Sequence, residues 1–179
     1  MSQERVTFRI REGFEPGDFG AVVNLHGTIY AEEYQLDTSF EVYVAEPLAA
    51  FARDRAERGD PAGHIWLVEV DPLDASYGCL GIVGACALVD GGPDADLIRW
   101  VILDQAARGR GLGRELIELM IAKARQRGKR RIELGTFHKL DAAIDLYRRF
   151  GFEVTKRERE MIWGQDLEII TMTLEFDES

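Results

Sequence analysis

The sequence predicts an α/β protein built on a mixed sheet, and three features predict it. Short apolar segments rich in β-branched residues, such as "HIWLVEV" and "DLIRWVIL", are interleaved with longer segments whose apolar residues recur at helical spacing. The second half then runs strand, helix, strand, helix, strand, an order that layers helices over a sheet. Apolar residues make up 46% of the 179-residue chain, too many for a disordered segment and enough to fill the core of one domain over residues 1–179.

The elements follow in order. "VTFRI" reads as an opening strand, and "DFGAVVNLHGTIYAEEY" and "FEVYVAEPLAAFARDRA" as two helices, with Asp18 placed to cap the first. After Pro61 the pattern turns to strands. "HIWLVEV", "LGIVGACALV" and "DLIRWVIL" are separated by turn chemistry such as "DGGPDAD", which predicts an antiparallel meander. Leu112, Leu116, Met120 and Ala124, with Ile117 and Ile121 beside them, make an amphipathic helix that stops at Gly128. "RIELGT" is a strand, and "DAAIDLYRRFG" is a helix with Asp141 as its cap and Gly151 just past its end. The tail "LEIITMTLEF" alternates, putting Ile170, Met172, Leu174 and Phe176 on one face; as an exposed last strand it would offer an edge for a homodimer.

A net charge of -10 argues against nucleic acid and anionic membrane as partners. Yet residues 105–131 hold nine Lys or Arg against two Glu, which points to an anionic ligand at one basic site; the arginines after Arg114 read as a solvated helix face. No apolar run reaches membrane-spanning length, and "MSQERVTFRI" lacks the apolar centre of a signal peptide, so a cytoplasmic location is expected. Cys79 and Cys86 share one extended apolar segment, beyond disulfide reach and without a ligand cluster around them; buried thiols and no metal site are expected.

The stretch "RGRGLG" at residues 108–113 carries the strongest signal. It is not a P-loop, because Arg114 and Glu115 stand where lysine and a hydroxyl are needed, and its GxGxG spacing is not the GxGxxG of a dinucleotide site. What remains is an anion nest. Gly109, Gly111 and Gly113 permit positive φ and close backbone approach, a helix starting near Leu112 adds unsatisfied N–H donors, and Arg108, Arg110 and Arg114 add charge. A diphosphate suits such a nest; a plain tight turn is the alternative for the loop taken alone.

The pattern Arg108-x-x-Gly111-x-Gly113 after a strand ending "VIL" resembles the acetyl-CoA signature of the GNAT superfamily of N-acetyltransferases, and "AAIDLYRRFGF" resembles that superfamily's final helix and strand. The likeness runs over residues 5–176. It implies a three-layer fold, with a central mixed, mostly antiparallel twisted sheet of about seven strands flanked by about four helices, strands four and five splayed. "GDFGAVVNLHGTIYAEEYQLDTSFEVYV" and "WGQDL" are similar to the acetyltransferase half of MarR-type fusion proteins.

The resemblance further implies acetyl-CoA as co-substrate and transfer of its acetyl group to a primary amine, by direct attack in a ternary complex. Val101 and Leu103, with Ile102 between them, would pair through their backbone with pantetheine, while Arg108, Gly109, Arg110, Gly111, Leu112, Gly113 and Arg114 hold the pyrophosphate. Tyr147 matches the family's tyrosine, a proton donor to the departing thiolate, and an N–H near Leu103 would serve the oxyanion. Glu33 matches an acidic position of the fusion-type relatives and is the candidate base or acceptor contact, with Tyr30, Tyr34 and His26 bordering it. Glu32, Glu33, Asp37 and Glu41 together would favour a cationic acceptor. Phe137 and His138 stand where many relatives carry an asparagine, and Trp100 and Phe137 are candidates for setting acyl length. The sequence holds no recognisable Cys–His nucleophile motif, which leaves little room for a covalent enzyme intermediate. A non-catalytic acyl-CoA-binding regulatory module is the alternative function.

Overall fold

The computed structural model describes residues 7–71 and 81–176; Cys79 lies outside them. Seven strands, β1 (Thr7–Glu12), β2 (Gly63–Asp71), β3 (Ile82–Asp90), β4 (Ala95–Leu103), β5 (Arg131–Phe137), β6 (Glu153–Ile162) and β7 (Gln165–Glu175), form one sheet in the order β1-β2-β3-β4-β5-β7-β6. Every neighbouring pair is antiparallel except β4 with β5. That one parallel pair needs a crossover, and α3 (Leu112–Gln126) supplies it.

Helices cover both faces. α1 (Asp18–Tyr34) and α2 (Ser39–Arg58) bury Val22, Ile29, Phe40 and Leu48 in one core cluster; α3 and α4 (Asp141–Arg149) bury Leu116, Ile117, Met120 and Ile144 in the other. The strands feed the two clusters alternately, Ile65 and Leu67 of β2 to the first and Trp66 and Val68 to the second, as a strand of period two between two helical layers must. No helix among the described residues is long and apolar enough to cross a membrane.

Four expectations are corrected. Asp18 and Asp141 are the first residues of their helices, and Gly17 and Leu140 take the cap positions. The Asp18 carboxylate instead accepts from Arg11 and from the Glu15 N–H, at 2.8 and 2.6 Å, which fastens the start of α1 to β1. The last strand is internal, between β5 and β6, so the edges are β1 and β6. β6 has no hydrophobic alternation to reveal it: from Thr155 to Met161 it is exposed, and its Lys156, Arg157, Glu158, Arg159 and Glu160 give it the charged face of an edge that resists further pairing. Finally, the basic stretch is not all solvated. Arg127 donates at 2.8 and 3.1 Å to Asp96, which is fully buried on β4, and Lys129 bonds Asp90 at 2.8 Å, tying the end of α3 to the β3–β4 turn.

Candidate active site

A break in β4 builds the site. Arg99 pairs with Ala87 of β3 and Ile102 with Ala85, so Trp100 and Val101 together face the single residue Cys86. This is a β-bulge. Trp100 sits in it with φ 51°, in the left-handed region a bulky side chain avoids, and such strain persists only where the surroundings impose it. The extra residue reverses the alternation of the strand. Ile98 packs into the α3/α4 cluster; beyond the bulge it is Val101 and Leu103 that face that way, while Trp100 and Ile102 face α1 and α2.

The bulge coincides with a fork in the sheet. β4 and β5 pair from Ala95 with Arg131 to Ile98 with Leu134, and no further, although both strands continue. Past that point β4 keeps only its β3 edge. The Asp104 N–H donates to the Val83 carbonyl at 2.7 Å, so alternation turns the main chain of Leu103 to the opposite side, toward the fork, where its carbonyl accepts from Arg108 Nε at 2.8 Å.

The glycine loop closes the mouth of the fork. Gly109 and Gly111 have φ 73° and 85°, and Gly111 is the N-cap of α3 with no side chain capping the helix. The first main-chain bond into the helix runs from the Glu115 N–H to the Gly111 carbonyl, leaving the N–H groups of Leu112, Gly113 and Arg114 as the open donors of the first turn. Gly113 differs from the expectation, since it lies within the helix and has no positive φ. The three arginines also divide. Arg108 and Arg114 line the cavity, but the guanidinium of Arg110 lies 5.0 Å from the ring centre of Phe8 while its Nε holds the Ala106 carbonyl, so only its main chain is left to the nest.

Behind the loop a cavity of about 900 Å³ runs through the fork from α3 and α4 to α1 and α2. On the α4 side Tyr147 lines it, 5% exposed, packed on Phe152, and with no hydrogen-bond partner for its hydroxyl among the described residues. Burial pushes its phenol upward, so it keeps its proton at neutral pH. Thr136 of β5 lines the same cavity, and its hydroxyl oxygen is buried without a partner among the described residues; in the sequence it stands out only as a polar residue inside an apolar strand. Cys86 is fully buried and burial raises its thiol pKa, the state of an inert packing residue.

On the α1 side Tyr30 and Tyr34 line the cavity, with Phe40 against Tyr30, Phe137 against Tyr34, and Trp163 against Phe40. Trp163 and Gly164, with φ 52° and 74°, form the tight turn between β6 and β7, and the Trp163 carbonyl accepts from the Asp37 N–H at 3.0 Å. His26 also lines it. Its Nδ1–H donates to the Val22 carbonyl at 2.8 Å, and burial lowers its pKa to about 4. The acids do not gather here. Glu33 is bound by both terminal nitrogens of Arg108, at 2.9 and 2.8 Å, Asp37 accepts from Ser39, and neither they nor Glu32 and Glu41 line the cavity. His138 turns away, bonding Glu168 through both its main chain and its ring. The charged lining is five cationic side chains against Asp141 and Asp145, so the expected acidic acceptor pocket is corrected to a basic and aromatic one.

Known proteins share the fold and part of the sequence. Over 67 residues the chain is 39% identical to an uncharacterized N-acetyltransferase of Methanocaldococcus jannaschii, a match that spans 37% of this chain and 28% of that protein. Its fold superposes on a Salmonella typhimurium protein assigned as an acetyltransferase and solved with its cofactor acetyl-CoA, with a TM-score of 0.71 at 21% identity, covering 96% of this chain and 95% of that one. A GNAT family acetyltransferase from Elizabethkingia anophelis with acetyl-CoA bound gives a TM-score of 0.56 at 16% identity, over 97% and 100% of the two chains. The sequence model of the acetyltransferase (GNAT) family matches residues 24–152, from within α1 to the start of the last hairpin, and takes in the bulge, the fork, the glycine loop and Tyr147. The chain belongs to the acetyltransferase (GNAT) family.

Proposed function

We propose that this protein moves the acetyl group of acetyl-CoA to a primary amine by direct attack, acting as one cytoplasmic domain. The observation that carries the reading is the fork: β4 and β5 part after Ile98 and Leu134, and an uncapped helix start sits at the opening. A pyrophosphate suits the N–H groups of Leu112, Gly113 and Arg114, with Gly109 and Gly111 allowing close approach and Arg108 and Arg114 adding charge. A pantetheine arm suits the unpaired edge of β4 at Val101, Ile102 and Leu103, where it would act as a substitute strand. The two solved relatives with acetyl-CoA bound support this donor.

In the reaction the amine nitrogen forms a bond to the thioester carbon, the carbon–sulfur bond breaks, and the sulfur leaves as thiolate. Tyr147, buried and protonated, would give that sulfur its proton, and the proton lost by the amine nitrogen on collapse to the amide would restore the phenol, so amide and free thiol leave with the enzyme unchanged. The oxyanion of the addition step would be met by main-chain N–H of the splayed strand β4, near Leu103. Glu33 enters as the clamp on Arg108, linking α1 to the glycine loop, rather than as a free base. With His26 neutral and weakly basic, the acceptor enters as free amine, and kcat/KM should rise about tenfold per pH unit below the amine's own pKa.

The stretch at 17–44 and the "WGQDL" turn, which resemble the acetyltransferase half of MarR-type fusion proteins, touch each other through Asp37 and Trp163 and enclose the acceptor side. Calorimetric titration with acetyl-CoA, followed by free-thiol release with a panel of primary amines, tests the proposal. Binding with turnover is the expected result, and a protein that binds no acetyl-CoA and acetylates no amine would refute it.

A further inference from the structure

Of the five cationic side chains that line the cavity, Arg99, Lys139 and Arg149 have no carboxylate partner among the described residues, and of these three only Arg99 is part-buried. It projects from β4, just before the bulge, into the α1/α2 half; its guanidinium carbon lies 5.8 Å from the ring centre of Tyr43 and 5.6 Å from that of Trp100. Arg108 is paired with Glu33 and Arg114 with Glu118, while Lys139, which bonds Gln165, and Arg149 are exposed to solvent; no described carboxylate pairs with the part-buried Arg99. A guanidinium held between two aromatic faces keeps its in-plane N–H fork directed outward, which is the geometry that takes a carboxylate bidentately. Arg99 is part-buried with no carboxylate of the described residues against it, which leaves its fork open to a carboxylate brought by the ligand.

The walls next to Arg99 are aromatic. Tyr43 and Phe40 pack on Trp163 at 4.8 and 4.9 Å between ring centres, and Tyr30, Tyr34 and Phe137 complete the wall. Tyr43 remains 46% exposed, so this half of the cavity opens outward past the side chain that flanks Arg99. A ligand matching these surfaces carries one carboxylate, an apolar body, and an amine that can reach the fork.

We infer that the acceptor is a small apolar α-amino acid, its carboxylate held by Arg99 and its side chain against the Phe40–Trp163 wall. The inference rests on the acyl-transfer reading above. The reaction forms the N–C bond to the acetyl group and breaks the C–S bond; of the two protons the ammonium loses, one goes to solvent when the free amine forms and one ends on the CoA thiol, and the carboxylate is unchanged.

The test uses the full chain with acetyl-CoA and three matched acceptors: phenylalanine, phenylalaninamide and phenethylamine, which share one side chain and differ in the carboxylate. Phenylalanine is expected to show kcat/KM at least about tenfold above both others, compared at equal free-amine concentration, by an effect that acts mainly on KM. In Arg99→Met the ratio of phenylalanine to phenethylamine should fall about 10- to 100-fold, and Arg99→Lys should recover part of it. Thermal melts with and without acetyl-CoA establish that the variants fold; if neither does, the three acceptors on the native protein decide alone. Equal turnover of all three, or a ratio unmoved by Arg99→Met, overturns the inference while the acyl-transfer reading stands. If acetyl-CoA binds and phenylalanine is not acetylated, the amino acid assignment is wrong and the donor reading survives. Absence of acetyl-CoA binding sinks both.

Discussion

The two halves of the cavity recognise by different means. On the α3/α4 side the surfaces on offer are main chain: the open N–H groups of Leu112, Gly113 and Arg114, and the unpaired edge of β4 past Ile98. On the α1/α2 side they are side chains drawn from four separate places, Tyr30 on α1, Tyr43 on α2, Arg99 on β4 and Trp163 in the β6–β7 turn. Main-chain recognition depends on conformation and tolerates changes of side chain so long as the glycines remain. Side-chain recognition changes with each substitution. A fold that keeps one half for a constant donor and the other for a changeable acceptor can vary its substrate without disturbing its donor site.

Four substitutions separate these modes, starting with the largest effect. Tyr147→Phe, at the junction of the halves, should lower kcat about 100-fold or more while the acetyl-CoA Kd moves less than about threefold; an unchanged kcat would remove the tyrosine from the mechanism. His26 comes next. Its folded pKa of about 4 lies below the ordinary 6.5, so the neutral form is favoured in the fold: its contribution is complete above about pH 6.5 and is lost as pH falls toward 4. The span corresponds to roughly 3 kcal/mol. Denaturant titrations from pH 7 to pH 4 should show this loss and His26→Phe should flatten it; equal slopes would place the pH dependence elsewhere.

Gly111→Val probes the main-chain half. It puts a β-branched residue at φ 85° with open space around its Cβ, so the cost is backbone strain of about 1–2 kcal/mol rather than a clash. Because that strain acts on the helix start, the acetyl-CoA Kd should rise at least about tenfold, measured by calorimetry. Arg110→Ala is the smallest change. With its guanidinium over Phe8, the acetyl-CoA Kd should move by less than about threefold, and a larger rise would mean that side-chain charge, not main chain, dominates the donor half.

The unequal legibility of the halves follows from the same difference. Glycines at 109 and 111 announce a backbone that must turn, and the apolar spacing of Leu112, Leu116 and Met120 announces the helix behind it, so the donor half was readable along one short stretch. The acceptor half was not. A tryptophan at φ 51° contradicts its own conformational preference, and without the bulge at Trp100 the strand alternation assigns Trp100 and Ile102 to the wrong face. The contact of Asp37 with Trp163 joins residues far apart in the chain, and β6 hid behind charges that serve its edge position. The acids of α1 looked like a pocket because their sequence is dense, but Glu33 is committed to Arg108, a pairing that no local pattern carries.

The most direct test of the main-chain account is backbone amide NMR during titration with acetyl-CoA. Donor binding through main chain should give the largest shifts at the amides of Leu112, Gly113 and Arg114 and along Val101–Leu103, with slowed exchange at the same positions. Shifts confined to the α1/α2 half, with those six amides unmoved, would contradict it.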